Sequence, residues 1–186
     1  MLDAITQIVF IVDVIFLYIL LAGITWSVTF PQKRIWPPPQ KRSWQHRLIW
    51  TCFYMIFLLN ALLLVLDWNS WFFMMPSRFI LGTPLIITGV LLLLWGMQTL
   101  GVQNTSGVRS GLVQEGPHRF TRNPQYLGDI VLFVGISLIA NSLLLWITHS
   151  LLILILLAAP LTEEIWLEEQ YGKEYQDYKQ KTARFL

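Results

Sequence analysis

Four stretches of this 186-residue chain are apolar for longer than the core of a small soluble domain can absorb. Residues 5–30 are interrupted only by Gln7 and Asp13. Residues 48–66 have Asn60 as their most polar member, residues 79–100 form a third run, and residues 126–161 are apolar for too long to be one crossing. A helix needs about 20 mostly apolar residues to cross a hydrocarbon core of about 30 Å. Composition agrees: 55% of the residues are hydrophobic and 13% charged, about half the charge usual in soluble domains. A soluble globular fold, a disordered chain and a nucleic-acid binder carried by a basic surface are all excluded. The single cysteine, Cys52, rules out an intrachain disulfide and any zinc cluster built on cysteine pairs, and no metal is expected.

Asn141 and Ser142 interrupt the longest stretch as a tight turn would, so it reads as two helices, 125–140 and 143–161. The expected fold is an all-α polytopic membrane bundle of about five transmembrane helices, one domain over residues 1–186. A polar loop (101–124) and a C-terminal helix (162–182) complete it. The basic residues test the count. Lys33, Arg34, Lys41, Arg42 and Arg47 follow the first span. Arg109, Arg119 and Arg122 follow the third, and Lys173, Lys179, Lys181 and Arg184 follow the fifth. Only Arg78 is left for the other side. Five spans with the N-terminus outside place 12 of the 13 basic residues in the cytoplasm, as the positive-inside rule requires. The expected location is the inner or plasma membrane of a prokaryote, or the endoplasmic reticulum of a eukaryote. The first run lacks the basic flank and cleavage site of a signal peptide and reads as retained. Trp36-Pro37-Pro38-Pro39 reads as a stiff, extended linker. Trp68, Trp71, Phe72 and Phe73 read as an interfacial aromatic belt.

Polar chemistry concentrates in the loop and the tail, which flank the same hairpin. The loop carries glycines at 101, 107, 111 and 116, which permit close backbone approach to a ligand or merely flexibility. It holds no Walker sequence or GxGxxG after a strand. Asn123-Pro124 reads as N-cap and first residue of the fourth helix, whose positive end attracts an anion. Arg119 and Arg122 lie beside it, either for such an anion or for lipid headgroups. Pro160 is expected to end the fifth span, with Glu163 and Glu164 opening the next helix. They are then either ordinary dipole partners or holders of a cationic or hydroxyl-rich ligand. Glu169 with Lys173 and Asp177 with Lys181 have the i,i+4 spacing of exposed helical ion pairs. Asp13 is expected to bond a Tyr or Trp of a neighbouring helix; the other reading is transport. His46 and His149 read as interfacial. Gly82, Gly89 and Gly96 fit either oligomer contact or internal packing.

Two linked motifs resemble a known membrane family. The first is Leu112-Val113, then Gly116-Pro117-His118-Arg119-Phe120, then Arg122-Asn123-Pro124-x-Tyr126-Leu127-Gly128. The second is Glu163-Glu164-x-x-Leu167-x-x-x-Tyr171-Gly172-x-Glu174-Tyr175-x-x-Tyr178. Together, over about residues 111–180, they resemble the isoprenylcysteine carboxyl methyltransferase and phospholipid methyltransferase superfamily. The resemblance implies S-adenosylmethionine as methyl donor and a lipophilic acceptor: a prenylcysteine carboxylate, a phospholipid amine, or another isoprenoid or small hydrophobic molecule. It places cofactor binding on Arg122, Asn123, Pro124, Tyr126, Glu163 and Glu164, and the reading of the loop adds Leu112, Val113, Gly116, His118, Arg119 and Leu127 as expected cofactor contacts. Arg122, Glu163 and His118 are the expected catalytic residues.

The chain departs from the family pattern at three places. His118 stands for the usual Tyr, and Asn123 for the His of the Arg-His-Pro form. An Arg often found before the Glu pair is absent from Ala158-Ala159-Pro160-Leu161, which weakens the case for a prenylcysteine. His118 titrates near neutrality and reads either as a base toward an amine or hydroxyl, or as an interfacial loop residue. Two alternatives stand beside methyl transfer. Tyr126-Leu127-Gly128-Asp129 also resembles the ending of NADPH-dependent membrane sterol reductases, and Asp13 keeps open a non-enzymatic scaffold or transporter.

Overall fold

The computed structural model describes residues 3–73, 75–107 and 111–185. Arg109, counted among the basic residues above, lies outside the described residues. Among the described residues six α-helices form: α1 (Ala4–Thr29), α2 (Trp44–Leu66), α3 (Ser77–Thr105), α4 (Pro124–Ala140), α5 (Leu143–Tyr171) and α6 (Lys173–Lys181). α1, α2, α3 and α5 are long and apolar enough to cross a membrane, and α4 is a shorter apolar helix. The all-α polytopic bundle read from the sequence is the observed architecture.

The chain runs up and down. At one end the loop after α2 meets the α4–α5 turn: the Asn69 and Trp71 amides donate to the carbonyls of Ala140 and Asn141. Arg78 lies there too, donating to Asn69 at 2.7 Å. At the other end meet the linker after α1, the end of α3, the start of α4 and the extension of α5. The turn after α4 forms because Asn141 adopts the left-handed conformation and the Ser142 hydroxyl caps α5 by accepting from the Leu145 amide.

Lipid-facing surface is written as exposed apolar side chains, such as Ile8, Ile11 and Ile15 on α1 and Phe57, Leu58 and Val65 on α2. α4 has no exposed residue. It lies between α3 and α5, which is how a helix of 17 residues, about 25 Å at 1.5 Å per residue, belongs to a bundle of longer ones. α3 packs against it backbone to backbone. A Cβ on Gly89 would lie 2.6 Å from the Leu132 amide nitrogen, and one on Gly128 would lie 2.6 Å from that of Leu93. The glycines of the third span therefore serve internal packing, by the small-residue route that membrane helices use for close approach.

Several expectations are corrected. Pro160 does not end α5: a buried proline costs one amide bond, and the helix continues to Tyr171, as prolines in membrane helices are tolerated. Glu163 and Glu164 are thus well inside a helix rather than opening one. The C-terminal helix breaks instead at Gly172, whose φ of 52° leaves the helical region. That break prevents a Glu169–Lys173 pair; Glu169 binds Arg34 at 2.7 Å, and Asp177–Lys181 is absent from the ion pairs among the described residues. Asp13 bonds neither Tyr nor Trp: it accepts from Asn60 at 2.9 Å, and Thr148 donates to Asn60. His149 is buried, not interfacial, with its Nδ1 2.7 Å from the Ser137 hydroxyl. The Trp36 linker folds inward, with Trp36 7% exposed.

Candidate functional site

At 29 residues α5 is about 43 Å long and overshoots a hydrocarbon core of about 30 Å. The overshoot carries Glu163, Glu164, Trp166 and Leu167 to the polar end of the bundle. There they form one wall of a pocket that spans about 820 Å³ including its open mouth. Trp36 and Pro37 form a second wall. The end of α3 with Leu112 and Val113 forms a third, and the start of α4 (Asn123 to Tyr126) with His118 closes it.

Glu163 and Glu164 differ by about 100° around the helix and have unlike surroundings. Glu163 Oε1 accepts from the Trp36 indole at 2.6 Å and from the Tyr126 hydroxyl. Both donors are neutral, and no Lys or Arg among the described residues lies within ion-pair distance. Glu164 is surrounded by cations: Arg122 at 2.7 Å, Arg184 at 2.6 Å and Lys179 at 3.4 Å. Its charge is balanced within the protein, and that of Glu163 is not.

The Arg122–Glu164 pair also ties down the C-terminus. Arg122 Nη1 donates to the carbonyls of Lys179 and Thr182, and its amide donates to Ala183. Thr121 and Asn123 both donate to the Arg184 carbonyl, at 3.1 and 3.0 Å. The Asn123 side chain is thereby drawn away from the capping role expected of it. α4 starts at Pro124 with no side-chain cap, and its N-terminal end lines the pocket. The Tyr178 hydroxyl donates to the His118 carbonyl at 2.6 Å, and burial raises that phenol to about 12. Burial likewise holds His118 below the ordinary histidine value, so its imidazole is neutral. Its Nε2 is buried with no partner among the described residues.

Of the residues singled out from the sequence, Leu112, Val113, His118, Arg122, Asn123, Pro124, Tyr126, Glu163 and Glu164 line the pocket. Gly116, Arg119 and Leu127 do not. Gly116 packs on α3, where a Cβ would come 2.8 Å from the Thr99 hydroxyl, and Arg119 is exposed. Trp36, Gln125, Trp166, Tyr175 and Tyr178 line the pocket without having been singled out as ligands. Trp36 carried a signal: a tryptophan beside a proline run at the polar end of a membrane chain is poorly placed in solvent.

A family model described as phospholipid methyltransferase matches residues 77–174, just over half of the chain, from the start of α3 to the start of α6. No curated protein matches the chain.

Proposed function

The chain belongs to the phospholipid methyltransferase family and is a membrane methyltransferase acting on lipid-type substrates, and on that premise we propose that its methyl donor is S-adenosylmethionine, held in the pocket between Trp36, the α4 N-terminus and Glu163. The observation that carries this reading is the unbalanced Glu163 carboxyl. A buried acid with only neutral donors gains most from a cationic ligand, and NADPH offers it none at its phosphates.

The remaining walls fit the same ligand. The uncapped start of α4 suits a carboxylate, and the backbone of Leu112 and Val113 suits the edge of an adenine. Trp36 and Trp166 supply apolar faces. When bound, the donor supplies an electrophilic methyl group on a sulfonium; the protein's part is to position and to exclude water. Trp36 and Tyr126 fix the Glu163 carboxyl. Arg122, paired with Glu164, fastens residues 182–184 beside the α4 N-terminus. His118, neutral, lines the pocket beside the start of α4. In this reading Glu163 is a ligand-binding residue and Arg122 a positioning one. The whole of residues 1–186 acts as one membrane domain, with the polar end of the bundle in the cytoplasm and the N-terminus outside.

The test is an incubation of membranes containing the protein with S-adenosylmethionine radiolabelled on its methyl group, followed by lipid extraction. Label in an extracted lipid, lost with Glu163→Gln, is the expected result. No label above membranes lacking the protein contradicts it. The labelled lipid identifies the acceptor among prenylcysteine, phospholipid amine and other isoprenoids. A C-terminal tag reached only from outside the cell contradicts the orientation.

A further inference from the structure

A second concavity lies between α2 and α3, which barely touch although consecutive in the chain. It encloses about 1500 Å³ including its mouth. Its polar end is lined by Lys41, Arg42 and Arg47, and its apolar flank by Tyr54, Leu94 and Met97, all three exposed where the bundle meets lipid. No Asp or Glu lines it, and none of its three cations has a carboxylate partner among the described residues. His46 and Trp50 also line it. His46 Nε2 and Trp50 Nε1 are buried and have no partner among the described residues. A buried N–H without an acceptor is costly, and cations that merely rest on a bilayer surface give no reason to bury one.

We propose that this groove binds the phosphate of a lipid headgroup, with Arg42, Arg47 and the Trp50 indole as its donors, and so holds the lipid acceptor beside the methyl-donor pocket. The occupant is a lipid rather than a free anion because the groove continues from the cations onto the exposed apolar flank of α2 and α3, where acyl chains run. Thr105 connects the two sites: it lines both the groove and the donor pocket, and its hydroxyl accepts from Gln125 at 3.1 Å. The role assigned to the bound lipid rests on the methyl-donor reading above; the binding site itself does not.

The test uses the full chain in detergent and counts retained lipid by native mass spectrometry. Dioleoylphosphatidylglycerol is compared with dioleoylglycerol, which has the same chains and no phosphate. The expected result is one retained phosphatidylglycerol and no retained dioleoylglycerol. Retention should weaken at least about tenfold in the Arg42→Gln/Arg47→Gln double variant, since two charge-assisted hydrogen bonds are lost. It should weaken about threefold or more in Trp50→Phe, which keeps an aromatic side chain and removes the N–H donor. Melting temperature and S-adenosylmethionine affinity, measured on the same samples, should not change. Three results overturn the proposal: undiminished retention in the double variant, an equal loss in Lys173→Gln/Lys181→Gln (a general charge effect), or displacement by inorganic phosphate as effective as by lipid. If no sample binds S-adenosylmethionine while the lipid pattern holds, the donor reading fails and the headgroup site stands.

Discussion

Glu163 and Glu164 are consecutive residues of α5, yet one faces only neutral donors and the other three cations. Glu163 accepts from Trp36 and Tyr126; Glu164 pairs with Arg122, Arg184 and Lys179. The two acids therefore do different work, and substitutions should separate them. Glu164→Ala leaves Arg122, whose side chain is 8% exposed, as an uncompensated buried charge. Breaking such a pair costs about 3–5 kcal/mol. A large fall in detergent melting temperature is expected, with Glu163→Gln melting near wild type. Equal melting of the two variants contradicts the assignment.

Trp36→Phe keeps an aromatic side chain and removes the indole donor to Glu163. A hydrogen bond to a charged group contributes about 1.5–3 kcal/mol, so S-adenosylmethionine affinity should fall by about tenfold or more while the fold survives. Calorimetry showing wild-type affinity would make Trp36 a packing residue only.

Much of this site was legible in the sequence because it is built from two local motifs bordering one hairpin. The hairpin forces Arg122, Asn123 and Tyr126 to meet Glu163 and Glu164, whatever the detail of the helices. The contribution of Trp36 was not legible, since it depends on how a linker 127 residues from Glu163 folds back. The division of labour within the Glu pair was hidden too. It follows from helix rotation, and Pro160 pointed to a helix boundary that a membrane-buried helix does not need. The five apolar segments fixed the bundle, but not that α4 lies sheltered between α3 and α5. That follows from the glycines of α3, which admit one neighbour to backbone contact.

Gly89→Ala should confirm the packing. The added methyl meets the Leu132 amide nitrogen at 2.6 Å, a backbone atom that cannot move aside as a flexible side chain would. Overpacking of this kind costs about 1–3 kcal/mol. A lower melting temperature in detergent is expected, and a neutral or stabilising effect contradicts the α3–α4 contact.

Acid sensitivity should include a share from His118. Its folded value lies below the ordinary 6.5 because burial disfavours the charged form. The unfolded chain therefore binds the proton more readily, and stability rises with pH. The contribution is complete above about 6.5 and is lost as pH falls from there through the folded value. Between about pH 7 and pH 5, wild-type melting temperature should fall more steeply than that of His118→Gln. Parallel profiles contradict a buried neutral imidazole.

The most direct test of the donor pocket is a calorimetric titration of the purified protein with S-adenosylmethionine and, separately, with NADPH. One equivalent of S-adenosylmethionine should bind with micromolar affinity, weakened at least about tenfold by Glu163→Gln through loss of the countercharge, and NADPH should give no heat. Binding of NADPH in its place, or S-adenosylmethionine binding untouched by the loss of the Glu163 charge, contradicts the account.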